Sequence, residues 1–172
     1  SMAIDFVTVS LTEVEAVQED CDAAVADPTT GACGVAAHQL CAATGCGLQT
    51  GYGPIEADLA EARATFTCLD ETQSTVLRTT FTELQSHNAL CSDLDPVSVD
   101  CNMSIHHFCD GQGLQTGFGA VESGAEDVVV TCTPTAELHQ VPYSELSAYD
   151  AACSWPSETF NTACRLAMHQ WC

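Results

Sequence analysis

The sequence predicts a small-module α+β fold, disulfide-rich and built as three tandem copies of one strand-helix-helix-turn-strand unit, the third truncated. Three observations carry this. Twelve cysteines are spread along 172 residues, a Cys–His–Cys signature recurs three times, and a glycine-rich run recurs twice. The predicted units are 3–72, 73–135 and 136–172. Ser1 and Met2 read as an expression remnant, because a start Met is not preceded by Ser.

Each unit opens on an apolar residue, a hydroxyl residue, Glu and an aliphatic: Leu11-Thr12-Glu13-Val14, Phe81-Thr82-Glu83-Leu84 and Tyr143-Ser144-Glu145-Leu146. Thr12 with Glu15, and Thr82 with Gln85, have capping-box spacing. Leu11, Phe81 and Tyr143 then take the staple position, and a short helix is expected from there to Cys21, Cys91 or Cys153.

After a loop comes the signature itself: Cys33-His38-Cys41, Cys101-His106-Cys109 and Cys164-His169-Cys172. Apolar residues around it, such as Cys101, Ile105, Phe108 and Cys109, make a helical stripe with both cysteines on the buried face.

Glycines then end the helix. The runs Gly47-Leu48-Gln49-Thr50-Gly51-Tyr52-Gly53-Pro54-Ile55-Glu56 and Gly113-Leu114-Gln115-Thr116-Gly117-Phe118-Gly119-Ala120-Val121-Glu122 predict tight turns or bulges around one aromatic. A strand follows in 64–68 and 128–132, carrying Cys68 or Cys132. The next apolar stretches, from Thr75 and from Glu137, suggest hairpins joining successive units.

The cysteine count suggests Cys21–Cys33, Cys41–Cys68, Cys91–Cys101, Cys109–Cys132, Cys153–Cys164 and a long-range Cys46–Cys172; first-with-third pairing within units balances equally well. The two cysteines of one second helix lie roughly 12 Å apart along its axis and cannot bridge each other.

An even, high cysteine count points to an oxidising compartment, hence a secreted, extracellular chain whose leader has been removed. No apolar run reaches the roughly 20 residues of a membrane span. With 24 Asp plus Glu against three Arg, the formal charge is −21, which repels phosphate backbones and anionic lipid and speaks against nucleic acid and membrane insertion. The acidic surface reads as a solvated face suited to saline water, or as one that attracts cations.

Candidate chemistry is sparse. In helical projection each signature His lies about 140° from its first Cys and about 60° from its second, so one straight helix cannot close a metal site. His38, His106 and His169 are therefore read as half-buried residues bonded to backbone or to Glu56 or Glu122 of the same unit. A metal site assembled from adjacent units is the alternative, and the His106-His107 pair could hold a soft metal adventitiously. Tyr52 with Glu56, and Phe118 with Glu122, form the candidate ligand site: an aromatic beside a carboxylate can stack on a sugar and accept its hydroxyls. The structural alternative has the ring plugging the core and Glu pairing with His. Asp20, Asp22, Asp27, Asp93, Asp95 and Asp100 crowd the cystine loops without EF-hand spacing, so a weakly bound divalent cation is the most they suggest, and no cofactor is expected. No nucleophile elbow, HExxH, P-loop or dinucleotide fingerprint appears.

The run from the Cys–His–Cys helix through the glycine turn to Glu resembles cysteine-rich repeat segments of large proteins exported by marine or myxobacterial Gram-negative bacteria. It covers roughly 50 residues of each of the first two units and only its start in the third. The resemblance implies secretion and repetition and assigns no catalytic residue. The expected function is adhesion or recognition of an extracellular glycan or surface protein. Metal sequestration by histidines and acidic loops is the alternative, and a secreted hydrolase using His and Glu comes third.

Overall fold

The computed structural model describes residues 4–21, 31–58, 60–94, 96, 98–153 and 162–172. It is a mixed helix and strand structure held by five disulfides.

The chain runs β1 (Ile4–Ser10), α1 (Leu11–Val17), α2 (Gly31–Ala43), β2 (Leu48–Asp58) and β3 (Arg63–Asp70). It continues with β4 (Thr75–Thr80), α3 (Phe81–His87), α4 (Val99–Gly111), β5 (Thr116–Ser123) and β6 (Asp127–Thr133), and ends with α5 (Tyr143–Leu146) and α6 (Thr162–Trp171). Two antiparallel three-stranded sheets form, in the orders β1-β3-β2 and β4-β6-β5. In both, the strand that arrives last in sequence lies in the middle, flanked by the first strand and the glycine-bearing strand.

This arrangement corrects three expectations. No hairpin joins β3 to β4, because each pairs within its own sheet. The link between them is an Asx turn, in which Asp70 Oδ1 accepts from the Thr72 backbone N–H at 2.8 Å and from its hydroxyl at 2.6 Å. The stretch 137–142 forms no strand and pairs with neither sheet among the described residues. The helix caps also sit two residues earlier than the spacing suggested. Ser10 closes a capping box with Glu13, and Thr80 accepts from the Glu83 N–H at 3.1 Å, because the extended end of β1 or β4 presents its last hydroxyl to the helix. Leu11, Phe81 and Tyr143 are thus first-turn residues packed into the cores rather than staples. α1, α3 and α5 stop several residues short of their cysteines.

The second helices form, and the predicted stripe holds for the cysteines of α2 and α4 but not throughout the third copy, where Met168 and Cys172 are exposed. Cys33, Cys41, Cys101, Cys109 and Cys164 are buried. Five of the anticipated bridges are present. Cα separations are 4.6, 4.4 and 4.5 Å for Cys21–Cys33, Cys91–Cys101 and Cys153–Cys164, and 5.4 and 5.5 Å for Cys41–Cys68 and Cys109–Cys132. The sixth is not formed: Cys46 and Cys172 are exposed thiols. Cys46 rides on a left-handed turn between Gly45 (φ +76°) and Gly47 (φ +82°), which carries it away to solvent. Cores gather under the sheets, the largest around Phe81, Leu84, Ile105, Phe108, Val128 and Val130.

The glycine runs are strands with bulges rather than free turns; register slips between Tyr52 and Glu56 and between Gly119 and Glu122. Gly51 lies opposite Cys68, and Gly117 opposite Cys132. A Cβ on either would stand 2.2 Å from the sulfur of Cys41 or Cys109, so each bridge occupies the space a side chain would take.

Gly51→Ala or Gly117→Ala is therefore expected to cost about 1–3 kcal/mol or more through overpacking. Gly111→Ala, which meets nothing nearby, should stay within about 0.5 kcal/mol of the parent. Urea unfolding of the three variants checks the contrast.

Candidate functional site

The glycine strands place Tyr52 and Phe118 side by side. Their rings meet edge to face with centroids 5.3 Å apart and planes 72° apart, an arrangement favoured by the ring quadrupoles. Neither ring plugs its own sheet's core: Tyr52 is exposed, Phe118 half-buried, and together they wall a cleft of about 560 Å³. The cleft opens between β2, β5, the outer face of α4 and the end of α6, with Met103, His106, Met168, His169 and Cys172 completing its rim.

The histidines pair with glutamates, but not with those expected. His38 Nε2, on α2, faces Glu122 Oε1 at the end of β5, and His169 Nε2, on α6, faces Glu56 Oε1 on β2, both at 3.6 Å. Each pair thus joins a helix to the glycine strand of a different set of elements, where the same unit was anticipated. The reason is packing: α2 lies against β5 as well as β2, and α6 lies against β2. No carboxylate pairs with His106 among the described residues.

A second layer of polar contacts follows the same direction. His38 Nδ1 is 3.0 Å from the Thr50 hydroxyl, which is 3.0 Å from the Thr131 hydroxyl on the other sheet. Thr50 and Thr131 are fully buried, so this relay satisfies groups that could not otherwise be desolvated. It fits the tautomer whose Nε2–H points at Glu122 while Nδ1 accepts from Thr50. His106 Nδ1 makes the equivalent contact to Thr116 at 2.8 Å, and among the described residues no second side-chain hydroxyl extends that relay.

Burial pushes the His38 pKa below its ordinary 6.5, with Glu122 opposing the shift. Burial thus disfavours the protonated ring at this position.

Glu56 and Glu122 are thus turned to histidines instead of standing free beside an aromatic face. Among the described residues no three of His, Cys, Asp and Glu converge as a metal-binding group. His106 and His107 are neighbours, with ring centroids 5.1 Å apart, and His87 stacks on His107 at 6.3 Å. Of the cystine-loop aspartates, Asp100 accepts from Asn88 Nδ2 at 2.8 Å; Asp22, Asp27 and Asp95 lie outside the described residues. Thr50, Thr131, Met103 and Met168 were missed from sequence, although the repeated Leu-Gln-Thr-Gly run marked Thr50 and Thr116 as more than filler.

Between its depressed folded pKa and 6.5, His38 binds more protons in the unfolded chain, so stability rises with pH there. Its contribution is complete above 6.5 and falls away as the pH drops through that window. Urea midpoints across that range should show a shallower acid slope for His38→Gln than for the parent; an unchanged slope contradicts the burial argument.

No family model, curated protein or solved structure matches the chain, so the site is read from its own residues.

Proposed function

We propose that this chain is a secreted, non-enzymatic recognition module, three tandem copies of one disulfide-stapled unit, that binds an extended apolar segment of an extracellular partner protein in the cleft beside Tyr52 and Phe118. The observation that carries the reading is the cleft's lining: two glycine-bearing strands, two aromatic rings and the thioethers of Met103 and Met168. Such a surface recognises apolar side chains and offers few groups for sugar hydroxyls. Both carboxylates that would have served a glycan already face histidines, so the protein partner is favoured over the sugar.

Secretion is supported by ten cysteines in bridges, which persist in oxidising compartments. Among the described residues no helix is long and apolar enough to cross a membrane. Repetition is supported by the matched sheet orders, bridge positions and glycine contacts of the two sheets. Recognition suits an exposed cleft on a rigid, cross-linked frame, because little ordering entropy remains to be lost on binding.

Met103 is exposed and lines the cleft, so Met103→Asp should leave folding intact. On an array of extended apolar peptides and glycans, the parent is expected to bind peptides, and Met103→Asp to bind them about tenfold more weakly, near 1.4 kcal/mol. Binding to glycans alone, or peptide binding indifferent to the substitution, would sink the proposal.

A further inference from the structure

The chain has six histidines, and four of them have polar partners. His38 and His169 face Glu122 and Glu56, His139 faces Glu137 at 3.1 Å, and His106 meets the Thr116 hydroxyl. The other two, His87 and His107, meet each other. Their rings stack with centroids 6.3 Å apart and planes 25° apart. Among the described residues no hydrogen bond or ion pair ties up a nitrogen of either ring, and both residues are exposed.

A packed frame fixes their separation. His87 ends α3 and His107 stands on α4. Phe81 and Leu84 of α3 share a core with Ile105 and Phe108 of α4, and the Cys91–Cys101 bridge, with Cα atoms 4.4 Å apart, ties the segment after α3 to the first turn of α4. The pair is not a by-product of this framework. Counted from the cysteines, position 87 corresponds to Val17 and Tyr149, and position 107 to Gln39 and Gln170. Histidine stands at both positions in the second copy and at neither position in the other two.

We propose that His87 and His107 form a binding site for a divalent transition-metal ion, with copper(II) held most tightly. Imidazole nitrogen suits copper, nickel and zinc, and copper(II) heads the divalent order at a given nitrogen site. Two imidazoles bound about 2.0–2.1 Å from one ion place their ring centroids roughly 4.5–6.5 Å apart, depending on the angle at the metal. The observed 6.3 Å falls inside that span, so rotation of two exposed side chains turns a nitrogen of each ring to one ion while both helices stay in place. No third His, Cys, Asp or Glu converges there among the described residues. Water fills the remaining positions, which makes the site open and its metal exchangeable. Glu83, one turn before His87, and Asp110, one turn after His107, add negative charge nearby. Neither ring lines the cleft, and the metal site stands independently of the recognition reading.

Copper(II) held by iminodiacetate is the probe, because that chelator leaves few positions open, which a pair of imidazoles fills and a wrapped amino terminus does not. It is titrated into the full protein and followed by calorimetry. His87→Val and His107→Gln install side chains that the same framework carries at Val17 and Gln39, and circular dichroism checks that every variant keeps the parent's fold. Each substitution is expected to weaken binding about tenfold or more, and the double variant no further than either single one, because two-point attachment is lost with the first ring. His106→Gln should leave the affinity at the parent's value. Binding indifferent to both substitutions overturns the proposal. So do losses that add in the double variant, which mark two separate one-ring sites, and a loss in folded His106→Gln matching that in His107→Gln, which moves the site to the adjacent pair on α4.

Discussion

A disulfide seated on a glycine is the constraint from which the rest of this structure follows. Cys41–Cys68 and Cys109–Cys132 tie a second helix to the middle strand of a sheet, and the sulfur lies where the neighbouring strand has no side chain. The helix can approach the sheet closely only because Gly51 or Gly117 is there. That approach sets the height of the helix and carries His38 and His106 to the threonines of the glycine strands. Loops of this size closed by a bridge contribute roughly 3 kcal/mol each in the chain-entropy account. The bridges therefore compensate for modest cores, and for the self-repulsion of a chain with formal charge −21.

The sets of elements are joined by polar contacts as much as by apolar ones. The buried Thr50–Thr131 pair and the His38–Glu122 contact have partners only when β2, α2, β5 and β6 stand in one relative arrangement. Such contacts add little net energy, but leaving them unmade is costly, so they select the arrangement more than they stabilise it. The cleft is the consequence. Two glycine strands are covered by a helix from another set on one side and bring their aromatic rings together on the other, beside α4 and the end of α6.

The helices, the central strands and five bridges were legible because each rests on local pattern: a buried stripe with cysteines eight apart, a β-branched run ending in Cys, and a short cystine loop. The caps were misplaced because Thr12 and Thr82 mimic the spacing that Ser10 and Thr80 fulfil, and only the direction of the preceding strand distinguishes them. The glycine runs carried turn chemistry, yet formed strands, since what the glycines accommodate is a sulfur from a distant helix. The partners of His38 and His169 were right in type and wrong in address, while His106 meets the Thr116 hydroxyl and no carboxylate among the described residues. Sequence repetition marks equivalent residues and cannot say whether they meet within a unit or across two. The Cys46–Cys172 pairing came from counting, and counting contains no geometry.

The central claim is that the second-helix cysteines bridge to the middle strands over Gly51 and Gly117. Proteolysis of the native protein without reduction, with the linked peptides identified by mass, tests it most directly. The account predicts Cys41 joined to Cys68 and Cys109 to Cys132, with Cys46 and Cys172 in peptides bearing free thiols. Cys21 joined to Cys41, or Cys91 to Cys109, would contradict it.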